Sequence, residues 1–248
     1  MLEISNLMVF YENAVALNDF SMNVQSGGIV AVIGSNSAGK TTLMNTLSGL
    51  IIDTKIKEQR KGGERITIYG KILFNGEDIT DLYPSERVKR GMVLCRERHP
   101  IFQESDLLEN LRIAGYLRKR AEVRKTIDYV FDLFPTLIRL KNRKAGFLSG
   151  GEQQMLTIGM ALVVKPSLLL LDEPLLGLSP MMQTTLVDAI KKISVETGLT
   201  IIISEQFARP ILPMIDHGYI IENGMLTLDG SGLELMENPE VKGAYFGV

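Results

Sequence analysis

The sequence predicts an α/β fold, and three stretches carry the prediction. Residues 28–49, GIVAVIGSNSAGKTTLMNTLSG, read as a strand, a glycine-bounded loop and a helix. Residues 168–174, LLLLDEP, read as a strand ending in two acids. Residues 200–204, TIIIS, read as a further strand. Short apolar runs of this kind fit a sheet that is covered on both faces.

Composition sets the frame. At 248 residues the chain has the length of one large domain, or of a core with an inserted lobe. An apolar content of 45% is ample for a buried core. A net charge of −2 argues against nucleic-acid binding through a bulk positive field. Cys95, the single cysteine, leaves no internal disulfide and fits a reducing compartment. The opening residues MLEI lack the basic and apolar regions of a signal peptide. The longest apolar stretches, such as 155–164, are too short to cross a bilayer. The expectation is a soluble chain whose membrane link runs through partners.

In chain order, residues 1–33 hold strand-like pieces at 2–4, 7–10 and 20–24, ahead of the apolar run 29–33. Tyr11 follows the second piece. It could stack on a nucleotide base, and an ordinary strand-end tyrosine would look the same. Next comes Gly34-Ser35-Asn36-Ser37-Ala38-Gly39-Lys40-Thr41, followed by Thr42, which fits G-x-x-x-x-G-K-[ST] at every defined position. Leu43, Leu47 and Leu50 continue it as a helix, with Gly49 near the C-terminal end. A strand, this loop and a helix make a phosphate-binding P-loop. Its N–H groups turn inward and the helix N-terminus adds partial positive charge. Lys40 is expected to reach the β- and γ-phosphates, and Thr41 to offer its hydroxyl to Mg²⁺.

Residues 53–65, DTKIKEQRKGGER, are charged and lack a period, so an exposed loop is expected. Residues 66–69 and 71–74 read as two strands around Gly70, and Asn75-Gly76 as a turn. Residues 105–144 read as helical, with a break at Pro135. The basic cluster at 118–120 and 124–125 is most simply a wet helix face. Ser149 and Glu152 then form a capping box around Gly150 and Gly151, which starts a helix and leaves N–H groups free to meet an anion. A well-capped helix with no ligand reads the same way. At the end of the four-leucine strand, Asp172 stands where open α/β sheets bind ligands and is suited to Mg²⁺. Glu173 is suited to polarise a water for attack on the γ-phosphate. The strand at 200–204 ends in Glu205-Gln206, and the last segment alternates strand-like pieces around Gly224 and Gly230.

These motifs, in this order, resemble the ATP-binding subunits of ABC transporters, with LSGGE at 148–152 as the signature sequence. Three longer strings, at 148–162, 168–180 and 221–247, are similar to the second ATPase subunit of branched-chain amino-acid importers. The resemblance covers nearly the whole chain. It implies a single ABC domain over 1–248: a P-loop core, an antiparallel β subdomain, and an inserted helical subdomain over about 98–160 that carries the signature. It implies ATP and Mg²⁺ as cofactors, with Tyr11 stacked on adenine. It further implies head-to-tail pairing with a second ATP-binding subunit, identical or not, so that Ser149, Gly150, Gly151 and Glu152 meet the ATP held on the partner's P-loop. Two transmembrane permease subunits and, indirectly, an extracytoplasmic substrate-binding protein complete the implied assembly. The implied location is peripheral, on the cytoplasmic face of the cell membrane.

The chain also departs from the family pattern. Ser37 stands where glycine is usual, which demands a less permissive backbone. Glu97 replaces the glutamine that reaches Mg²⁺ and the permease, and Arg96 replaces an expected proline. Residues 51–69 form a longer connection, and Met160 replaces an arginine. Gln206 replaces the switch histidine, since His99 and His217 fall elsewhere. Glutamine can hydrogen-bond a γ-phosphate but cannot carry a proton, so the hydrolysis rate is touched more than binding. Other readings are the same motor with an amide, urea or lipid cargo, a soluble ABC ATPase acting on DNA or the ribosome, and an ATP-binding regulatory subunit. A single ATP-binding domain and the lack of sustained heptads weigh against the soluble types. Glu173 weighs against full inactivity.

Overall fold

The computed structural model describes residues 1–97 and 100–246. His99, the first residue of the expected helical subdomain (Arg98) and the last residue of the 221–247 string lie outside them. The first two strands, β1 (Leu2–Tyr11) and β2 (Ala14–Val24), pair antiparallel. The pieces at 2–4 and 7–10 belong to one strand. Asn6, at φ 50°, makes a bulge that shifts the alternation by one, so Leu2, Ile4, Leu7 and Val9 all face inward. Asn6 is held there by its side chain on Asp19 at 2.7 Å and by its N–H on Ser21 at 2.9 Å.

β3 (Ile29–Ile33) is buried at all five positions and leads through the glycine loop into α1 (Lys40–Ser48). The helix ends at Gly49, so Leu50 belongs to the next one, α2 (Leu50–Lys61). This corrects the exposed loop expected over 53–65. Ile51 and Ile52 are buried and Ile56 packs on the same core, giving the segment the one-sided anchor a helix needs. Arg60 and Lys61 lie in its last turn, where they complement the helix dipole. Gly62, at φ 64°, closes it by donating to the Gln59 and Glu58 carbonyls. Only the residues after Lys61 are non-helical. β4 (Ile66–Phe74) is likewise one strand rather than two, with Gly70 as a bulge inside it. Asn75 and Gly76, both at positive φ, turn the chain into β5 (Glu77–Asp78), as the Asn-Gly pair predicts.

α3 (Pro84–Lys89) carries Arg87, which is 1% exposed. Its guanidinium donates to the carbonyls of Thr46 and Leu47, both at 2.7 Å, and to those of Thr80 and Leu82. Burial lowers its pKa to about 10. Arg87 therefore terminates α1 from outside, satisfying carbonyls that the helix end would leave unpaired. Nothing in the local sequence marks that role.

β6 (Met92–Cys95) precedes four helices: α4 (Leu107–Ala114), α5 (Arg120–Leu133), α6 (Pro135–Leu140) and α7 (Gly150–Val163). The first three pack on α7, and Pro135 is the break between α5 and α6. The chain then runs through β7 (Leu168–Asp172), α8 (Pro180–Thr197), β8 (Thr200–Glu205), β9 (His217–Glu222), β10 (Met225–Gly230), α9 (Gly232–Glu237) and α10 (Pro239–Tyr245). Two sheets result. One is antiparallel, in the order β2-β1-β4-β5. The other, in the order β10-β9-β3-β8-β7-β6, is parallel except for β10. Its strands serve two cores. Ile29, Ala31 and Ile33 of β3 face the core shared with α4–α8, while Val30 and Val32 face the core shared with α1 and the antiparallel sheet. That is why these strands lack polar alternation. The order also brings the carboxyl ends of β3, β8 and β7 side by side.

Candidate functional site

The glycine loop after β3 makes its turn with Ser37 at φ 65° and Gly39 at φ 108°. Glycine adopts such angles freely, whereas serine carries strain there. Beyond the turn Lys40 is 3% exposed. Its ammonium donates to the carbonyls of Gly34 at 2.8 Å and Ser35 at 2.9 Å, and pairs with Glu173 at 3.0 Å. All three partners belong to the loop or to the end of β7, so they hold the ammonium inside the cradle.

At the end of β7, the Asp172 carboxylate accepts from the Ser204 hydroxyl at 2.6 Å and lies 3.5 Å from the Thr41 hydroxyl. Burial pushes the Asp172 acid up, and the Ser204 hydrogen bond opposes that shift. Glu173 follows at φ 48°, an unusual angle for a residue with a side chain. Its N–H is held by the carbonyl and hydroxyl of Ser204, at 3.0 and 3.2 Å. Strain at a residue fixed this firmly is a common mark of a functional position.

A cavity of about 500 Å³ opens over these groups and is lined by Tyr11, Asn36, Ser37, Gly39, Lys40, Thr41, Thr42, Glu97, Glu173 and Leu176, among others. Tyr11 is half-buried beside Thr42, and burial raises its phenol pKa. Larger cavities, of about 890 and 740 Å³, open on other faces; a basic rim including Arg112 and Arg124 lines the first. Neither contains a phosphate loop or a strand-end acid. The smaller cavity is therefore the candidate site, on its chemistry rather than its size. Among the described residues its lining carries one cation, Lys40, against Glu97 and Glu173, with Asp172 beneath.

The structure thus gathers Tyr11, the loop residues, Thr41, Thr42, Glu97, Asp172 and Glu173. Two expected groups stand apart. The capping box at the start of α7 is formed, with the Ser149 N–H on Glu152 at 2.7 Å and the Glu152 N–H on Ser149 at 3.4 Å. Neither those residues nor Gly150 and Gly151 line the 500 Å³ cavity. Gln206 lines a separate cavity of about 320 Å³, with Leu175, Gly177 and Glu205. Sequence reading missed Ser204 and Glu205. The available signal was two polar residues ending an otherwise apolar strand, in a chain with a P-loop.

Comparison with known proteins places the chain in a family. Residues 17–176 match the family described as ABC transporter. The chain is 36% identical to the high-affinity branched-chain amino acid transport ATP-binding protein BraG of Pseudomonas aeruginosa, over all of both chains. It is 34% identical to the probable branched-chain amino acid transport ATP-binding protein LivF of Archaeoglobus fulgidus, over all of this chain and 99% of that protein. Among solved structures, the ADP conformation of MJ1267, an ATP-binding cassette of an ABC transporter, superposes with a TM-score of 0.81 at 26% identity, over all of this chain and 99% of the other.

Proposed function

The chain belongs to the ABC transporter family of ATP-hydrolysing proteins, and from that premise we propose that it powers a permease importing branched-chain amino acids. The observation that carries the reading is the convergence of Lys40, Thr41, Asp172 and Glu173 at one cavity. The cargo follows from the names of the two relatives above.

The residues divide the work. The N–H groups of 34–41 and the start of α1 cradle the phosphates. Lys40 leaves Glu173 for the β- and γ-phosphates, and the released carboxylate then holds the attacking water and takes its proton. Tyr11 packs on the adenine. The Thr41 hydroxyl and the Asp172 carboxylate, 3.5 Å apart, are a pair of hard oxygen ligands suited to Mg²⁺, with Glu97 facing the same space. Among the described residues Lys40 alone faces three acids and a triphosphate, and a divalent cation fits that charge count. When bound, Mg²⁺ supplies neutralisation of the phosphate charge. Gln206, which lines the separate 320 Å³ cavity, takes no part in this scheme, and as a glutamine it could not carry a proton there.

The 149–152 segment serves a second ATP-binding subunit, head to tail, and that subunit's signature completes the cavity here. Among the described residues no helix is long and apolar enough to cross a membrane. Attachment to the cytoplasmic face therefore runs through two permease subunits, with an extracytoplasmic binding protein delivering the cargo. The test is uptake of labelled leucine, isoleucine and valine by cells lacking this chain and by cells complemented with it. Loss and restoration of that uptake is expected. Normal branched-chain uptake in the deletion, with loss of uptake of an amide, urea or another solute, overturns the cargo and leaves the ATPase in place.

A further inference from the structure

β8 ends in Glu205, whose side chain has no task in the scheme above although it is 4% exposed. Its main chain pairs with Ile33, and its carbonyl accepts the Gly34 N–H at 3.2 Å, at the first residue of the phosphate loop. Its carboxyl accepts the Leu175 N–H at 2.8 Å, two residues beyond Glu173. One residue therefore touches both segments between which hydrolysis takes place. We propose that Glu205 is a positioning residue for hydrolysis, its carboxyl clamping the turn after β7 against the phosphate loop and so fixing where the Glu173 carboxylate stands.

The electrostatics agree with the geometry. Lys40, from α1, is paired with Glu173 rather than with Glu205. Glu173 faces Glu205 with like charge, and Arg209 lines the same 320 Å³ cavity from the segment after β8. Burial, with Glu173 adding to it, pushes the Glu205 acid up to about 8, against the Leu175 and Gln206 N–H groups and the charge of Lys40. At neutral pH the acid is protonated. It accepts the Leu175 hydrogen bond without adding a negative charge beside the phosphates. Above pH 8 ionisation places that charge next to Glu173, and turnover is expected to fall.

This inference rests on Glu173 as the base, so Glu173→Gln is the control. The experiment measures steady-state turnover of Mg²⁺-ATP by the full chain mixed with its companion ATPase at one fixed concentration, together with ATP binding, from about pH 6.5 to 9.5. Glu205→Leu removes the acceptor and is expected to lower kcat about 10- to 100-fold at unchanged KM. Glu205→Gln, neutral and with the same acceptor oxygen, is expected to restore kcat to within about threefold of wild type and to abolish the alkaline fall. If Glu205→Leu does not fold, the two profiles of wild type and Glu205→Gln decide alone. A normal kcat in Glu205→Leu, a KM rising in step with its loss, or an alkaline fall persisting in Glu205→Gln overturns the proposal. Normal turnover in Glu173→Gln overturns the base assignment instead.

Discussion

At the phosphate loop Lys40 is buried and held by Gly34, Ser35 and Glu173, whereas at the start of α7 Ser149 and Gly150 are exposed. Ser149 and Glu152 satisfy each other, and among the described residues the N–H groups of Gly150 and Gly151 have no acceptor. The first region is an anion site already folded around its cation. The second is a helix start whose free donors and positive dipole end become useful only when an anion arrives from outside. On the function proposed above, this difference is what lets one half of an ATP site be complete within one chain while the other half serves a partner.

The sharpest way to break the comparison is Glu173→Gln. The amide keeps size and hydrogen bonding but removes the carboxylate that takes a proton, so turnover is expected to drop about 10²- to 10⁴-fold. Binding moves the other way. The 3.0 Å ion pair with Lys40 is lost, and ATP no longer has to displace it. Calorimetry is expected to give equal or tighter ATP binding. A variant that loses binding as steeply as turnover would mean that Glu173 builds the pocket rather than acting in it.

A smaller effect is expected at the other region. Ser149→Arg puts a long cation at an exposed helix start and removes the cap on Glu152, at a cost of about 1 kcal/mol to the helix. ATP binding to this chain should not change, because its phosphate loop lies elsewhere. Turnover per subunit of the unmodified chain, mixed with its companion ATPase, should rise with concentration, and Ser149→Arg should abolish the rise. Full activity of the lone chain at high dilution would show that the helix start is not needed.

The same contrast governs what could be read in advance. The phosphate loop was legible because its spacing, strand and helix are all local, and Asp172 and Glu173 because they end a strand of unbroken leucines. The capping box was legible for the same reason, although not which chain it serves. The helix at 50–61 was missed because its charges outweighed Ile51, Ile52 and Ile56, yet Arg60, Lys61 and Gly62 had already signalled a helix end. The roles of Arg87 on the end of α1, and of Ser204 and Glu205 at the site, were not legible, because the partners that define them, Thr46 and Leu47, Asp172, and Leu175, lie 30 to 41 residues away in sequence. Only the strand order brings them together.

The smallest expected effect refines the claim that the phosphate loop is preorganised. Ser37 sits at φ 65°, where its side chain costs about 1 kcal/mol relative to an ordinary backbone angle. Glycine there removes that strain. It also frees the chain when the loop is unfolded, a loss of about 0.5–1 kcal/mol in the opposite direction. The two terms nearly cancel in global stability, so Ser37→Gly is expected to shift Tm by no more than about 2–4 °C. Nucleotide affinity should respond more clearly. Ser37 is exposed and lines the cavity, and a loop without its Cβ can bring N–H groups closer to the phosphates. ATP should bind about two- to fivefold tighter in Ser37→Gly, read by titration at fixed Mg²⁺. A weaker affinity would mean that the serine hydroxyl itself contacts the phosphate, and that the strain at φ 65° is kept for that contact.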